Sequence, residues 1–210
     1  MKKIFKAMVI MFVLGFLFGA TCEVLSDKIA RPNGVAPNST NLLPQSEEKN
    51  LEERVATYIR KTNSKVSKEE ALEWAATYIN TSKQFNIPLD VLLAKDWVES
   101  RFNPRAVSSK GARGIAQFTV STGKKMWSDL GFVYESAASL ENPKQSIIAG
   151  GYYLRILLNQ FEQNMTLALT AYNMGPSALL DRLASGEELE YRYATLVYAQ
   201  ARLIEMEVLK

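Results

Sequence analysis

Ser67-Lys68-Glu69-Glu70-Ala71-Leu72-Glu73-Trp74-Ala75-Ala76-Thr77-Tyr78-Ile79 carries both a helix start signal and a helix period. Ser67 with Glu70 three residues later is a capping box, in which each side chain satisfies a backbone N–H of the other. Ala71, Trp74, Ala75, Tyr78 and Ile79 then recur at i, i+3, i+4 spacing, which builds one apolar face on a helix and none on a strand. Trp74 and Tyr78 on that stripe are read as core.

The same period extends outward in both directions. Leu51, Val55, Tyr58 and Ile59 form a stripe before it; Leu154, Leu157, Leu158 and Phe161 form another after Asn142-Pro143. Leu189, Tyr193, Leu196, Val197, Leu203 and Ile204 mark a last helix. Pro88 to Ser100 reads as a helix with proline in its first turn, and Asn103-Pro104, Gly111 and Gly114 punctuate the loop beyond it. Strand signals are nearly absent. The expected fold class is all-α, with a small β element allowed in the loop from Arg105 to Phe118.

The N-terminus differs in kind. Lys2, Lys3 and Lys6 precede an apolar run from Ala7 to Cys22, the pattern of a secretory signal. Those 16 residues would make a helix of about 24 Å against a hydrocarbon core of ~30 Å, short for a span but serviceable as an uncleaved anchor. Lipidation at Cys22 is the weaker reading, because Thr21 and Gly19 fit a lipidation site poorly. Pro32, Pro37 and Pro44 then fall in a stretch rich in Asn, Ser and Gln, which reads as a linker. The expected organisation is a signal or membrane anchor over 1–22, a flexible linker over 23–47, N-terminal helices over 48–86 and a catalytic domain over 87–210. The expected location is the cell envelope, on the periplasmic side.

Composition narrows the chemistry. The chain of 210 residues has no histidine and one cysteine. Ser-His-Asp and Cys-His catalysis and His- or Cys-built zinc sites are thereby excluded; oxygen-ligated metals stay open, though no loop has the EF-hand pattern of spaced acids around a glycine. No cofactor or metal is called for, and carboxylate acid–base chemistry is the default. The net charge of +3 matches the three lysines ahead of the apolar run, so the remainder is neutral, which argues against nucleic acid as a partner.

Glu99 is the carboxylate best placed for such work, at a helix end facing a glycine-bearing loop. Glu99-Ser100, Phe102-Asn103-Pro104, Ala106-Val107-Ser108, Gly111-Ala112 and Gly114-Ile115-Ala116-Gln117 occur in that order. Ile147, Gly150, Tyr153-Leu154 and Ala168-Leu169-Thr170-Ala171-Tyr172-Asn173-Met174-Gly175-Pro176 come after them. Together these resemble the SLT domain of lytic transglycosylases, over roughly Leu89 to Ala184. The resemblance implies a lysozyme-like helical fold that cleaves the MurNAc-GlcNAc β-1,4 bond of peptidoglycan strands, leaving a 1,6-anhydro end. It implies that Glu99 is the single catalytic acid and base, with the substrate's acetamido group stabilising the cation in place of a second carboxylate.

The same resemblance places Ser100, Gln117, Tyr172, Asn173 and, from the last helix, Tyr193 (before Tyr191) around the sugar. Ala116 stands where the family commonly has methionine, a position expected to touch substrate, and Val120 where it often has proline. By chemistry alone Gln117 could equally cap buried backbone, Tyr172 could be packing, and Gly175-Pro176 joins two helices. Trp97, Phe102 and Tyr172 are the expected apolar walls around Glu99. Asp96, three residues before Glu99, is expected to be a solvated neighbour rather than a nucleophile. A hydrolase of the goose-type lysozyme kind, or a non-catalytic wall-binding protein on the same fold, would share most of these features. Service to an envelope-spanning machine, with membrane attachment if the N-terminal segment is retained, fits the small accessory region.

Overall fold

The structure is a computed structural model that describes residues 45–210. The expected signal or anchor, Cys22 and most of the linker lie outside the described residues. Among the described residues no helix is long and apolar enough to cross a membrane.

Among the described residues eight α-helices succeed one another: α1 Gln45–Thr62, α2 Lys68–Phe85, α3 Leu89–Ser100, α4 Val120–Asp129, α5 Pro143–Gln160, α6 Met165–Met174, α7 Pro176–Ser185 and α8 Arg192–Ile204. A 3₁₀ turn, Ala137–Glu141, precedes α5, and a π turn, Glu205–Leu209, ends α8. The β element is reduced to two isolated antiparallel bridges, Val107 with Arg113 and Arg113 with Phe118. Helix α1 begins at Gln45, inside the segment expected as linker to 47. Glu47 and Glu48 in its first turn complement the positive helix end.

The capping box forms as expected: Glu70 N–H donates to Ser67 Oγ at 3.1 Å and Ser67 N–H to Glu70 Oε2 at 3.0 Å. The stripe behind it is buried, with Ala71, Ala75 and Tyr78 fully enclosed. Helix α3 runs through the centre, packed on α2 and α8, while α5 packs on α2 and α6. Val91, Leu92, Leu93 and Ala94 are all buried in the main core. A second, smaller core of Phe118, Met126, Trp127 and Leu140 sits under α4.

The last helix departs from its expected stripe. Leu196 and Leu203 are 51% and 55% exposed, whereas Ala194, Val197, Ala201 and Ile204 face inward. The leucines lie seven apart and share one side; the inward row is rotated about 100° from them. Its two alanines let α8 approach α3 closely, and Gln200 turns in to donate to the Tyr58 hydroxyl at 2.5 Å.

Candidate active site

Helix α3 ends abruptly beside Glu99. Arg101 and Phe102 both adopt left-handed backbone, with φ of 55° and 57°. Each such residue costs about 1–3 kcal/mol and persists only where its surroundings enforce it. Here the Phe102 ring is sealed in the core, 6.0 Å from both Tyr58 and Tyr78, and Asn63 Nδ2 donates to the Phe102 carbonyl at 2.9 Å. The reversal sends the loop back across the end of α3, where Ile115 meets Ser100.

Ser100 fastens that loop to the helix. Its hydroxyl lies 2.8 Å from the Ile115 carbonyl and 3.2 Å from that of Asp96. Two more contacts hold the next residue: the Tyr172 hydroxyl donates to the Ala116 carbonyl at 2.9 Å, and Ala116 N–H donates to the buried Ser146 hydroxyl at 3.1 Å. Gly114 has φ of 79°, and a Cβ there would lie 2.1 Å from the Leu140 carbonyl oxygen, so only glycine fits this crossing. Gln117, with φ of 50°, donates its amide to the carbonyls of Gly114 at 2.8 Å and Ala106 at 3.1 Å. The amide N–H groups therefore brace the loop.

Glu99 is part-buried, and the Tyr193 hydroxyl reaches it from α8, donating to Oε1 at 2.6 Å. Burial raises the Glu99 carboxyl to about 6; the Tyr193 hydrogen bond and the Lys95 charge pull the other way and are outweighed. Tyr191 is 40% exposed and is not the tyrosine at the acid. Burial together with the Glu99 charge holds the Tyr193 phenol well above its ordinary value, so it stays a donor. The Tyr172 ring packs 5.3 Å from Tyr153 and 6.2 Å from Phe118, with its hydroxyl turned inward. Asn173, next along, is exposed.

Four expectations are corrected. Asp96 is not solvated: it is completely buried, paired with Lys95 and accepting from the Tyr78 hydroxyl at 2.9 Å. Ala116 has no exposed surface, so its side chain does not face a sugar. Phe102 belongs to the core rather than to a cleft wall. Trp97, two residues and so about 200° around the helix from Glu99, faces the other way. It carries the Arg101 guanidinium on its ring and borders a hollow with Tyr58, Leu203 and Met206. Sequence reasoning missed Lys95 and Ser146. The signal for Lys95 was its register: it lies four residues after Val91 and on the same inward side.

A carboxyl held partly protonated near pH 6, with one fixed donor and no free carboxylate from its own helix beside it, suits proton donation followed by proton recovery. Residues 76–194 match the family model "Transglycosylase SLT domain". The membrane-bound lytic murein transglycosylase F of Histophilus somni is 37% identical over 97 residues, 43% of this chain and 18% of that protein. An inactive mutant of lytic transglycosylase Slt from Pseudomonas aeruginosa superposes with a TM-score of 0.57 at 25% identity, over 64% of this chain and 24% of that one. The 70 kDa soluble lytic transglycosylase of Escherichia coli superposes with a TM-score of 0.59 at 20% identity, over 72% and 28% of the two chains, and shares the all-α, lysozyme-like fold. The chain thus spans under a third of the length of these longer proteins. With more than half of its residues inside the family match, the chain belongs to the transglycosylase SLT domain family.

Proposed function

We propose that the protein is a peptidoglycan lytic transglycosylase in which Glu99 alone supplies acid and base. The observation that carries this reading is the Glu99 carboxyl itself: part-buried, raised to about 6, and hydrogen-bonded by Tyr193. The negative end of α3 adds to the bias toward the protonated form. Asp96, three residues earlier, is sealed and neutralised by Lys95, which leaves it no access to a substrate.

Protonated Glu99 donates to the glycosidic oxygen of the MurNAc-GlcNAc bond as that bond breaks. The acetamido group of the cleaved MurNAc shields the cation at C1. Glu99, now a carboxylate, takes the proton from the 6-hydroxyl of the same sugar as its oxygen bonds to C1, giving the 1,6-anhydro end and restoring the acid. Tyr193 steadies the charged form between the two steps. The part-buried Tyr172 face and exposed Asn173 border the sugar; Gln117 and Ser100 act mainly by holding the loop. The curated relatives described as membrane-bound, together with the basic and apolar N-terminal segment, support action at the cell envelope.

The test is mass spectrometry of muropeptides released from purified sacculi by the wild type and by Glu99→Gln. Anhydro ends from the wild type and their absence with Glu99→Gln are expected. Reducing MurNAc ends would make the protein a hydrolase. Unchanged cleavage by Glu99→Gln would overturn the role of Glu99.

A further inference from the structure

Lys95 and Asp96 have no task in the reaction above, yet neither side chain has any exposed surface. Burying two ions costs hydration that their mutual attraction rarely exceeds, and an apolar pair of similar volume would serve stability as well. What the pair touches is therefore informative. The Tyr78 hydroxyl, from α2, donates to Asp96 Oδ2 at 2.9 Å. Asp96 Oδ1 accepts from Lys95 Nζ. Lys95 Nζ in turn donates to the Tyr172 oxygen on α6 at 3.3 Å and lies 4.7 Å from the centre of that ring. The Tyr172 hydroxyl donates to the Ala116 carbonyl at 2.9 Å.

The direction of this relay is forced. An ammonium has donors only, so the Tyr172 oxygen must accept from it, and the single phenolic proton is left for Ala116. Each bond polarises the next. The relay ends on the loop residue after Ile115, whose own carbonyl is held by Ser100 beside Glu99. Gly150 makes room for it: a Cβ there would come within 2.9 Å of Lys95 Nζ and 3.2 Å of the Ala116 methyl.

We propose that Lys95 is a positioning residue for the reaction at Glu99. With Asp96 as fixed counter-ion, it orients the Tyr172 hydroxyl and, through it, sets the Ala116 carbonyl and the sugar-bordering face of Tyr172 relative to the end of α3. The proposal rests on the assignment of Glu99 as the acid and base. Lys95 itself touches no substrate.

The test compares initial rates on soluble, uncrosslinked glycan strands for full-length wild type, K95M/D96N, Y172F, their combination and E99Q, with melting temperatures for each. K95M/D96N replaces the ion pair by a neutral one of similar volume. It is expected to melt near the wild type and to lose kcat tenfold or more at unchanged KM. Y172F is expected to lose a similar factor, and the combination to be no slower than K95M/D96N, because both cut one relay. A K95M/D96N variant with kcat within twofold of wild type overturns the proposal, as do losses that multiply in the combination. Should K95M/D96N not fold, Y172F decides: it keeps the ion pair and the ring, so full kcat overturns the proposal and a lowered kcat at unchanged KM supports it. An inactive E99Q beside a fully active K95M/D96N overturns only the role of Lys95. An active E99Q overturns the assignment of Glu99 and the proposal with it.

Discussion

Replacing Glu99 by glutamine should make the protein more stable as the pH rises. The Glu99 carboxyl titrates near 4.5 when unfolded and at about 6 in the fold. Since the folded value is the higher, the wild type is favoured below 4.5 and loses that advantage as pH rises through 6. The gap between 4.5 and about 6 corresponds to ~2 kcal/mol. Glutamine does not titrate, fills the same space and still accepts from Tyr193. The difference in stability between Glu99→Gln and wild type should therefore grow in favour of glutamine by about 2 kcal/mol between pH 4 and pH 8. For a domain of this size that is roughly 4–8 °C in melting temperature.

The assay is thermal unfolding of both proteins at half-unit pH steps, taking the difference at each pH so that every other titrating group cancels. A flat difference from pH 4 to pH 8 would refute the reasoning. A difference that moves against glutamine would show that the Tyr193 bond and the Lys95 charge outweigh burial, and that Glu99 is an ordinary carboxylate unsuited to donate a proton near neutrality.

Tyr193→Phe removes the hydrogen bond that pulls the Glu99 carboxyl down, so the carboxyl should keep its proton to higher pH. The alkaline limb of kcat/KM against pH should move up by about one unit, with a lower plateau because the charged intermediate loses its donor; an unmoved limb would show that the bond has no electrostatic role. Gly114→Ala places a methyl against the Leu140 carbonyl and should cost about 3 kcal/mol or more by calorimetry. Gly111→Ala, at a similar φ of 77° but with nothing within 4 Å, should cost only about 1 kcal/mol.

The helices were legible because their signals are local. Ser67 and Glu70 satisfy each other within one turn, and the stripes at 55–59, 71–79 and 154–161 need only a period and a core to face. Glu99 stood out as a candidate for a different reason: without histidine, and with zinc chemistry excluded, a glutamate between a helix and a glycine loop had few rivals. The last helix misled because Leu196 and Leu203 are larger than Ala194 and Ala201, while close approach to α3 favours the smaller residues. The second core escaped notice because Phe118, Met126, Trp127 and Leu140 come from three short segments with no shared period. The left-handed turn at Arg101 and Phe102 had no local signature, since neither residue favours that backbone and Phe102 is held there by distant partners, the Tyr58 ring and the Asn63 amide.

Lys95 and Ala116 were each unreadable alone and explain one another together. A lysine in a helix defaults to the surface, and an alanine in a loop reads as a lost contact. Here α3 is enclosed on all sides from Val91 to Asp96, and the row that carries Glu99 runs from Val91 and Leu92, a turn later, to Lys95 and Asp96 and then to Glu99. Every helical turn of that row is buried or part-buried, so a charge on it must find its counter-charge inside, and the adjacent acid supplies it. The ammonium then needs volume between α3, α5 and the loop: Gly150 borders that space without a side chain, and the Ala116 methyl lies beside Gly150. A methionine at 116 would compete with the Lys95 side chain for this volume. On these grounds Ala116→Met should be tolerated with Lys95 replaced by a small residue and Asp96 by asparagine, and should destabilise the protein by about 1–3 kcal/mol when Lys95 is present, the usual cost of overpacking. Equal cost in both backgrounds, measured by chemical denaturation, would mean that the two positions are independent and that the small residue at 116 answers to something other than the buried ion pair.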